Sequence, residues 1–326
     1  MSDVSIDEKQ HDIDEILNDD IDVESNEQEE TDDTEITIEN NSYQICSGET
    51  LNCKEVYKIA AKENTKVVVF VGPAGSGKTT IETSIYQLFQ NTPIGNMYFA
   101  GSTTLQGYEQ RSFYTRTKSQ RDSPATLRTN LESDNPFLHL RVWQSERDMI
   151  HNFMFADLSG EVFEAHIGRI NDVKKDFYYM DRANYIIGVL DGKRLQNKRK
   201  IQSTVSGIIE LIRTFCDAGL INEECILQIV FSKYDLLSQI TDVEQVISKV
   251  KKQIEKRLDG LFINIEYFNI AAMPEVTDSF AVGYGLQDLM YSWIKNRNSK
   301  SVRKKVELVE LSEFDKLYNK FLGVKE

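Results

Sequence analysis

The sequence lacks any run of about 18 apolar residues, the length a membrane-crossing helix needs, so no membrane span is expected. Its opening residues, MSDVSIDEKQHDIDE, carry neither a basic n-region nor an apolar h-region, which argues against a secretory signal. Residue 2 is serine and the chain ends in GVKE, so no lipidation signature is read. Cysteine is scarce: Cys46, Cys53, Cys216 and Cys225 form no CxxC pair, which excludes a disulfide-dense scaffold and reads as reduced thiols. The histidines His11, His139, His151 and His166 lack metal-ligand spacing, so no zinc site is expected. A concentrated basic patch of the kind that holds nucleic acid is also missing. These absences leave the cytoplasm as the expected location, with neither nucleic acid nor membrane as a partner.

What is present begins with a charge asymmetry. The net charge of −14 is misleading as a single number, because residues 1–40 hold 17 Asp/Glu against one Lys. The other 35 acidic and 37 basic side chains nearly cancel. Residues 1–40 also lack aromatics, Pro and Gly, and such a segment cannot bury enough apolar surface to offset its ordering cost. They are expected to be a disordered acidic tail, followed by an N-terminal extension at 41–63, one domain at 64–297 and a helical extension at 298–326.

Within 64–297, apolar strands alternate with helices. KVVVFV at 66–71 is a continuous β-branched run, and helical spacing follows over 78–90. Strands are expected at 137–143, 152–157, 184–191, 225–231 and 262–268, and helices at about 196–218, 241–258 and 285–295. Such alternation predicts an α/β fold: a three-layer α/β/α sandwich with a mostly parallel sheet and one antiparallel edge strand from the adjacent pair at 137–157, the architecture of a P-loop NTPase if the glycine-rich segment GPAGSGKT at 72–79, between the first strand and its helix, holds phosphate.

GPAGSGKT at 72–79 matches G-x-x-x-x-G-K-[ST], directly after a strand and opening a helix. Residue frequencies give about one chance match per hundred chains of this length, before that context is considered. Gly72, Gly75 and Gly77 permit backbone conformations a Cβ would block. The amides from Ala74 through Gly75, Ser76, Gly77, Lys78 and Thr79 to Thr80 then face a β-phosphate at a helix N-terminus. Lys78 is expected to bridge the β- and γ-phosphates, and Thr79 to offer its hydroxyl to Mg²⁺.

A strand ending in D-x-x-G follows, FMFADLSGE at 153–161. Asp157 can hold Mg²⁺, and Gly160 can present its N–H to a γ-phosphate, which makes the next segment sensitive to hydrolysis. With these motifs in this order the chain resembles the Ras-like, translation-factor-type GTPase superfamily over about 64–297. The resemblance implies a switch-loop threonine on Mg²⁺ from within 91–135, with Thr126 the best match and Thr103 and Thr104 competing. It also implies that Glu161 stands where a water-positioning Gln is common, so slow intrinsic hydrolysis is expected. Trp143 is expected to lie near the switch region and to serve as a fluorescence probe.

FSKYD at 231–235 stands where the superfamily reads its base. Asp235 can accept from the guanine ring N–H and exocyclic amine together, a donor pair adenine lacks. The stem of Lys233 can lie along the purine. Ser232 replaces the usual Asn or Thr, keeping a hydroxyl but losing the amide's reach. NIAAM at 269–273 is similar to the superfamily's S-A-K loop, with Ala271 and Ala272 as its small residues. FAGSTTLQGYEQR and DLSGE are similar to the double-GTPase proteins of bacterial conflict systems. The reading is therefore a GTP/GDP- and Mg²⁺-dependent switch acting on a protein effector or a second GTPase subunit. Two alternatives stay open: an ATP-dependent P-loop NTPase, and a nucleotide-binding scaffold with little turnover.

Overall fold

The computed structural model describes residues 46–113, 137–156, 160–276, 278–295, 312–314 and 316–317. The acidic segment 1–40, Thr126, Asp157 and most of 298–326 lie outside the described residues.

In chain order the elements are α1 (Cys53–Ala60), β1 (Thr65–Val71), α2 (Lys78–Asn91), β2 (Met97–Gly101), α3 (Leu105–Ser112), β3 (Phe137–Gln144), β4 (Met149–Ala156), α4 (Gly160–His166) and α5 (Ile170–Asp176). They continue as β5 (Ala183–Asp191), α6 (Gly192–Leu195), α7 (Lys198–Asp217), β6 (Ile226–Ser232), α8 (Tyr234–Leu237), α9 (Val243–Arg257), β7 (Ile265–Asn269) and α10 (Leu286–Ile294).

Seven strands form one sheet in the order β2-β3-β4-β1-β5-β6-β7. β1 pairs in parallel with β4 on one side and β5 on the other. A strand covered on both faces has no polar face, which is why residues 67–71 read as unbroken hydrophobics. Its side chains divide by alternation. Val67, Val69 and Val71 pack with α7 and α9, while Val68 and Phe70 pack with α2, α3 and α10. The result is the expected three-layer sandwich.

β3 is the strand that runs against the others, antiparallel to both β4 and β2. It is covered on its outer side by β2, an edge strand that alternation does not reveal because Tyr98 and Phe99 are both exposed. Residues 91–135 are thus not one long loop: β2 and α3 occupy their first half. α1 was equally unforeseen. Asn52 and Glu55 cap it reciprocally. Leu51 bridges Phe137, and Val56 joins the core beneath the sheet, so this part of the 41–63 extension packs as part of the same body.

Candidate functional site

The phosphate loop leaves the C-terminal end of the central strand, between its two neighbours, where open α/β sheets place their ligands. Gly72, Gly75 and Gly77 have φ of 155°, 75° and 98°, conformations that favour glycine. A Cβ on Gly72 would also lie 2.9 Å from the Val189 carbonyl of β5. Gly77 precedes the first residue of α2, so the helix's free amides open onto the turn. Lys78 is buried, and its Nζ donates to the carbonyls of Gly72 at 2.8 Å and Pro73 at 3.3 Å. The ammonium is therefore held inside the turn's concavity. Thr79 and Thr80 are half-buried on the first turn of α2, and Ser76 is buried within the loop.

Gly160 reaches the same loop from the other side. It is buried, and a Cβ there would fall 2.3 Å from Ala74 N and 2.5 Å from Pro73 C. The backbone at the start of α4 thus lies directly on the loop's N-terminal half. Glu161, the next residue, is exposed in the first turn of α4, where a carboxylate is favoured by the helix dipole. Of the expected metal ligands, Thr79 is described, whereas Asp157 and Thr126 lie outside the described residues. The competing threonines are engaged elsewhere. Buried Thr104 Oγ1 accepts from His139 N at 2.8 Å, and Thr103 Oγ1 lies 3.0 Å from His139 Nδ1, so both tie β2 to β3.

The segment at 231–235, expected to read the base, is fastened to the loop at 72–79. Ser232, the last residue of β6, is buried and its hydroxyl donates to the Ser76 carbonyl at 2.6 Å, with Leu190 O 3.1 Å away. The hydroxyl therefore reaches the loop at 72–79 without an amide's length. Lys233 Nζ donates to the Gly75 carbonyl at 2.8 Å and meets Asp191 Oδ1 at 3.2 Å. Asp235 is buried, and its Oδ2 accepts from the amides of Glu275 at 2.8 Å and Val276 at 3.3 Å.

A cavity of about 730 Å³ lies between these parts. Gly77, Thr80, Ser232, Lys233, Asp235 and Ala272 line it, with Met273, Pro274 and Glu275 along one rim. Its size suits a nucleoside-sized guest. Ala271 stands behind this wall: its amide donates to the Tyr284 carbonyl at 3.1 Å, while the Ala272 carbonyl accepts from Gly283 N at 3.0 Å. Of the two alanines, Ala272 thus faces the cavity and Ala271 braces it.

Two participants were missed in the sequence. Asp191 ends β5, and its Oδ1 both caps Lys193 N at 3.0 Å and receives Lys233. An Asp-Gly pair closing a buried strand was the available signal. The amides of Glu275 and Val276 left no signal, since a backbone donor has no side-chain identity.

A family model described as Double-GTPase 2 matches residues 66–294. No curated protein matches the sequence. Among solved structures, the bacterial selenocysteine-specific elongation factor EF-Sec is similar at 13% identity and a TM-score of 0.35, over 70% of this chain and 28% of that one. The chain thus spans little more than a quarter of that factor's length. The signal recognition particle receptor SRb-GTP/SRX complex from Chaetomium thermophilum is similar at 14% identity and a TM-score of 0.37, over 66% of this chain and 94% of that one. Because the family match runs from the central strand through α10, the chain belongs to the Double-GTPase 2 family and is a P-loop GTPase.

Proposed function

We propose that this chain binds GTP with Mg²⁺, hydrolyses it slowly, and acts as a switch on a partner protein. The observation that carries the reading is the double fastening of the base segment to the phosphate loop, Ser232 to Ser76 and Lys233 to Gly75, around one cavity that ends on Asp235. A single ligand able to fill that arrangement has a polyphosphate at one end and a paired N–H donor face at the other. Guanine has that face. The amides of Glu275 and Val276 occupy Asp235 Oδ2, and an adenine would leave the other oxygen, Oδ1, without a matching donor, which is costly.

In this reading the amides of 74–80 and Lys78 hold the phosphates. Thr79 supplies a hard oxygen ligand suited to Mg²⁺, which neutralises charge on the β- and γ-phosphates when bound. Asp157 is the carboxylate proposed to complete the metal site, and Thr126 the switch threonine. Gly160 already packs on Ala74, so a γ-phosphate arriving at the loop competes for that space. Displacing the start of α4 is how the bound nucleotide is reported to a partner, an effector or a second GTPase subunit. Glu161 carries a negative charge where water must be oriented, which favours slow turnover.

Identification of the co-purified nucleotide tests the base. GDP or GTP supports the reading and bound adenine nucleotide overturns it. Asp235→Asn is expected to exchange preference from GTP towards XTP, because the amide offers a donor where the carboxylate accepted. Unchanged GTP affinity in that variant would remove Asp235 from the base site.

A further inference from the structure

The phosphate loop opens at its two ends into two different cavities. One meets Gly77 and Thr80 and carries the base segment. The other, about 310 Å³, meets Gly72 and Pro73 at the opposite end of the loop and is lined by Thr204 and Gly207 of α7 and by Arg194 of α6. Resting on the function proposed above, a nucleotide with its base in the first cavity extends its phosphates along the loop towards the second. The terminal phosphate and the water that attacks it then come to the Gly72–Pro73 end.

Two polar groups and one open wall give this second cavity, otherwise lined largely by apolar side chains such as Ile167, Ile208 and Leu211, a place for an anionic guest. Thr204 is buried, and its Oγ1 has no hydrogen-bond partner among the described residues. A buried hydroxyl is costly unless a ligand or water completes it. A Cβ built on Gly207 would have no heavy atom within 4 Å, so the wall is open there. Arg194 is the one arginine among the lining residues, and its guanidinium has no ion-pair or hydrogen-bond partner among the described residues. Lys193 beside it is engaged differently, 4.0 Å from Glu275.

Arg194 also stands on a fixed support. A Cβ on Gly192 would lie 2.3 Å from Ser232 O and 2.8 Å from Lys233 O, so the helix start is pressed onto the base segment. Gln196 Nε2 donates to the Leu236 carbonyl at 2.5 Å, and Asp191 caps Lys193 N. The short helix thus links the base segment to the γ-phosphate end of the loop. These contacts fix the backbone that carries Arg194, while its guanidinium, exposed and without a partner among the described residues, is left able to meet charge as it develops.

We propose that Arg194 is the in-chain catalytic cation of this GTPase, meeting the γ-phosphate in the second cavity. The water oxygen bonds to the γ-phosphorus and the bond to the β–γ bridging oxygen breaks. The electron pair stays on the β-phosphate of GDP, and the water's proton leaves with inorganic phosphate. Arg194 contacts the equatorial and bridging oxygens on which negative charge accumulates.

The test is single-turnover phosphate release from GTP, measured beside the affinity for fluorescent GDP, in the full chain with Arg194→Ala, Arg194→Gln and Arg194→Lys. Alanine and glutamine are expected to slow release about 10²–10³-fold with GDP affinity retained. Lysine is expected to recover part of the rate, and added guanidinium ion to accelerate the alanine variant but not the wild type. Wild-type rates in both the alanine and glutamine variants overturn the inference. So does loss of rate and affinity together without guanidinium rescue, which would assign Arg194 to support of the base segment. A wild-type chain that binds no guanine nucleotide overturns the underlying reading as well, and the binding measurement separates that failure from one confined to Arg194.

Discussion

Lys233 adopts φ 50°, and among the described residues only Asp148 shares a left-handed conformation without being glycine. Such a conformation costs of order 1–3 kcal/mol at a residue with a side chain and persists where its surroundings impose it. Here it turns the chain sharply between β6 and α8. Nζ is thereby brought to Gly75, and the Asp235 side chain to the amides of 275 and 276. Gly160 illustrates the opposite constraint, absence of a side chain. Gly160→Ala would place a methyl against backbone atoms of Pro73 and Ala74, which cannot rotate away. Overpacking of this kind costs about 1–3 kcal/mol, so urea denaturation is expected to show that loss, together with weakened nucleotide binding. A variant as stable as the wild type would mean that α4 does not rest on the loop.

At the scale of elements, α10 is held by Trp293. The ring is fully buried against Phe153 and Phe155, and its Nε1 donates to Gln228 Oε1 at 2.8 Å. Trp293→Ala is expected to cost about 3–5 kcal/mol in chemical denaturation through the cavity it leaves. Trp293→Phe keeps most of the packing but orphans Gln228 Oε1, at about 1–3 kcal/mol.

The β3–β4 hairpin carries a pH dependence. His151 is buried beside Gln144, and burial, reinforced by Lys66 and Arg147, lowers its pKa to about 4. Burial likewise lowers that of His139. A folded pKa below the unfolded value of about 6.5 means that the unfolded chain takes up the proton first. The stability these neutral imidazoles contribute is therefore complete above pH 6.5 and is lost as pH falls towards 4. Denaturation midpoints should decline over that window, and His151→Gln should make the decline shallower. An identical slope in the variant would exclude His151 as a source.

Over the whole molecule, the register separates two places that looked adjacent in sequence. Phe137 pairs with Ala156 at the phosphate-loop end of the sheet, whereas Trp143 pairs with Ile150 near the opposite end. Six residues at about 3.3 Å each place Trp143 roughly 20 Å from that end. It is thus a poor reporter of the phosphate loop: saturating GDP should leave its emission unchanged, as measured in a Trp293→Phe background. Binding should appear instead as a raised melting temperature, since a ligand at about 100 times its Kd stabilises by roughly 2.7 kcal/mol. Lys78→Ala should abolish that shift by removing the cation at the loop's centre.

Local order decides how much of this could be read in advance. The unbroken run at 66–71, the glycine spacing of 72–79 and the F-S-K-Y-D segment after a buried strand each place their chemistry within a few residues of chain, so the mostly parallel sandwich and the glycine-rich loop were legible from local order alone, and the base-reading role proposed for 231–235 rests on the same local order. Contacts between distant segments have no such local record. That Ser232 reaches Ser76, that amides 275 and 276 fill Asp235, that Gly160 lies on Ala74 and that Arg194 lines the cavity at Gly72 were decided only when the sheet brought five separate strand ends together. Composition marks what a residue can do, and only the folded backbone sets which partner lies within hydrogen-bonding distance.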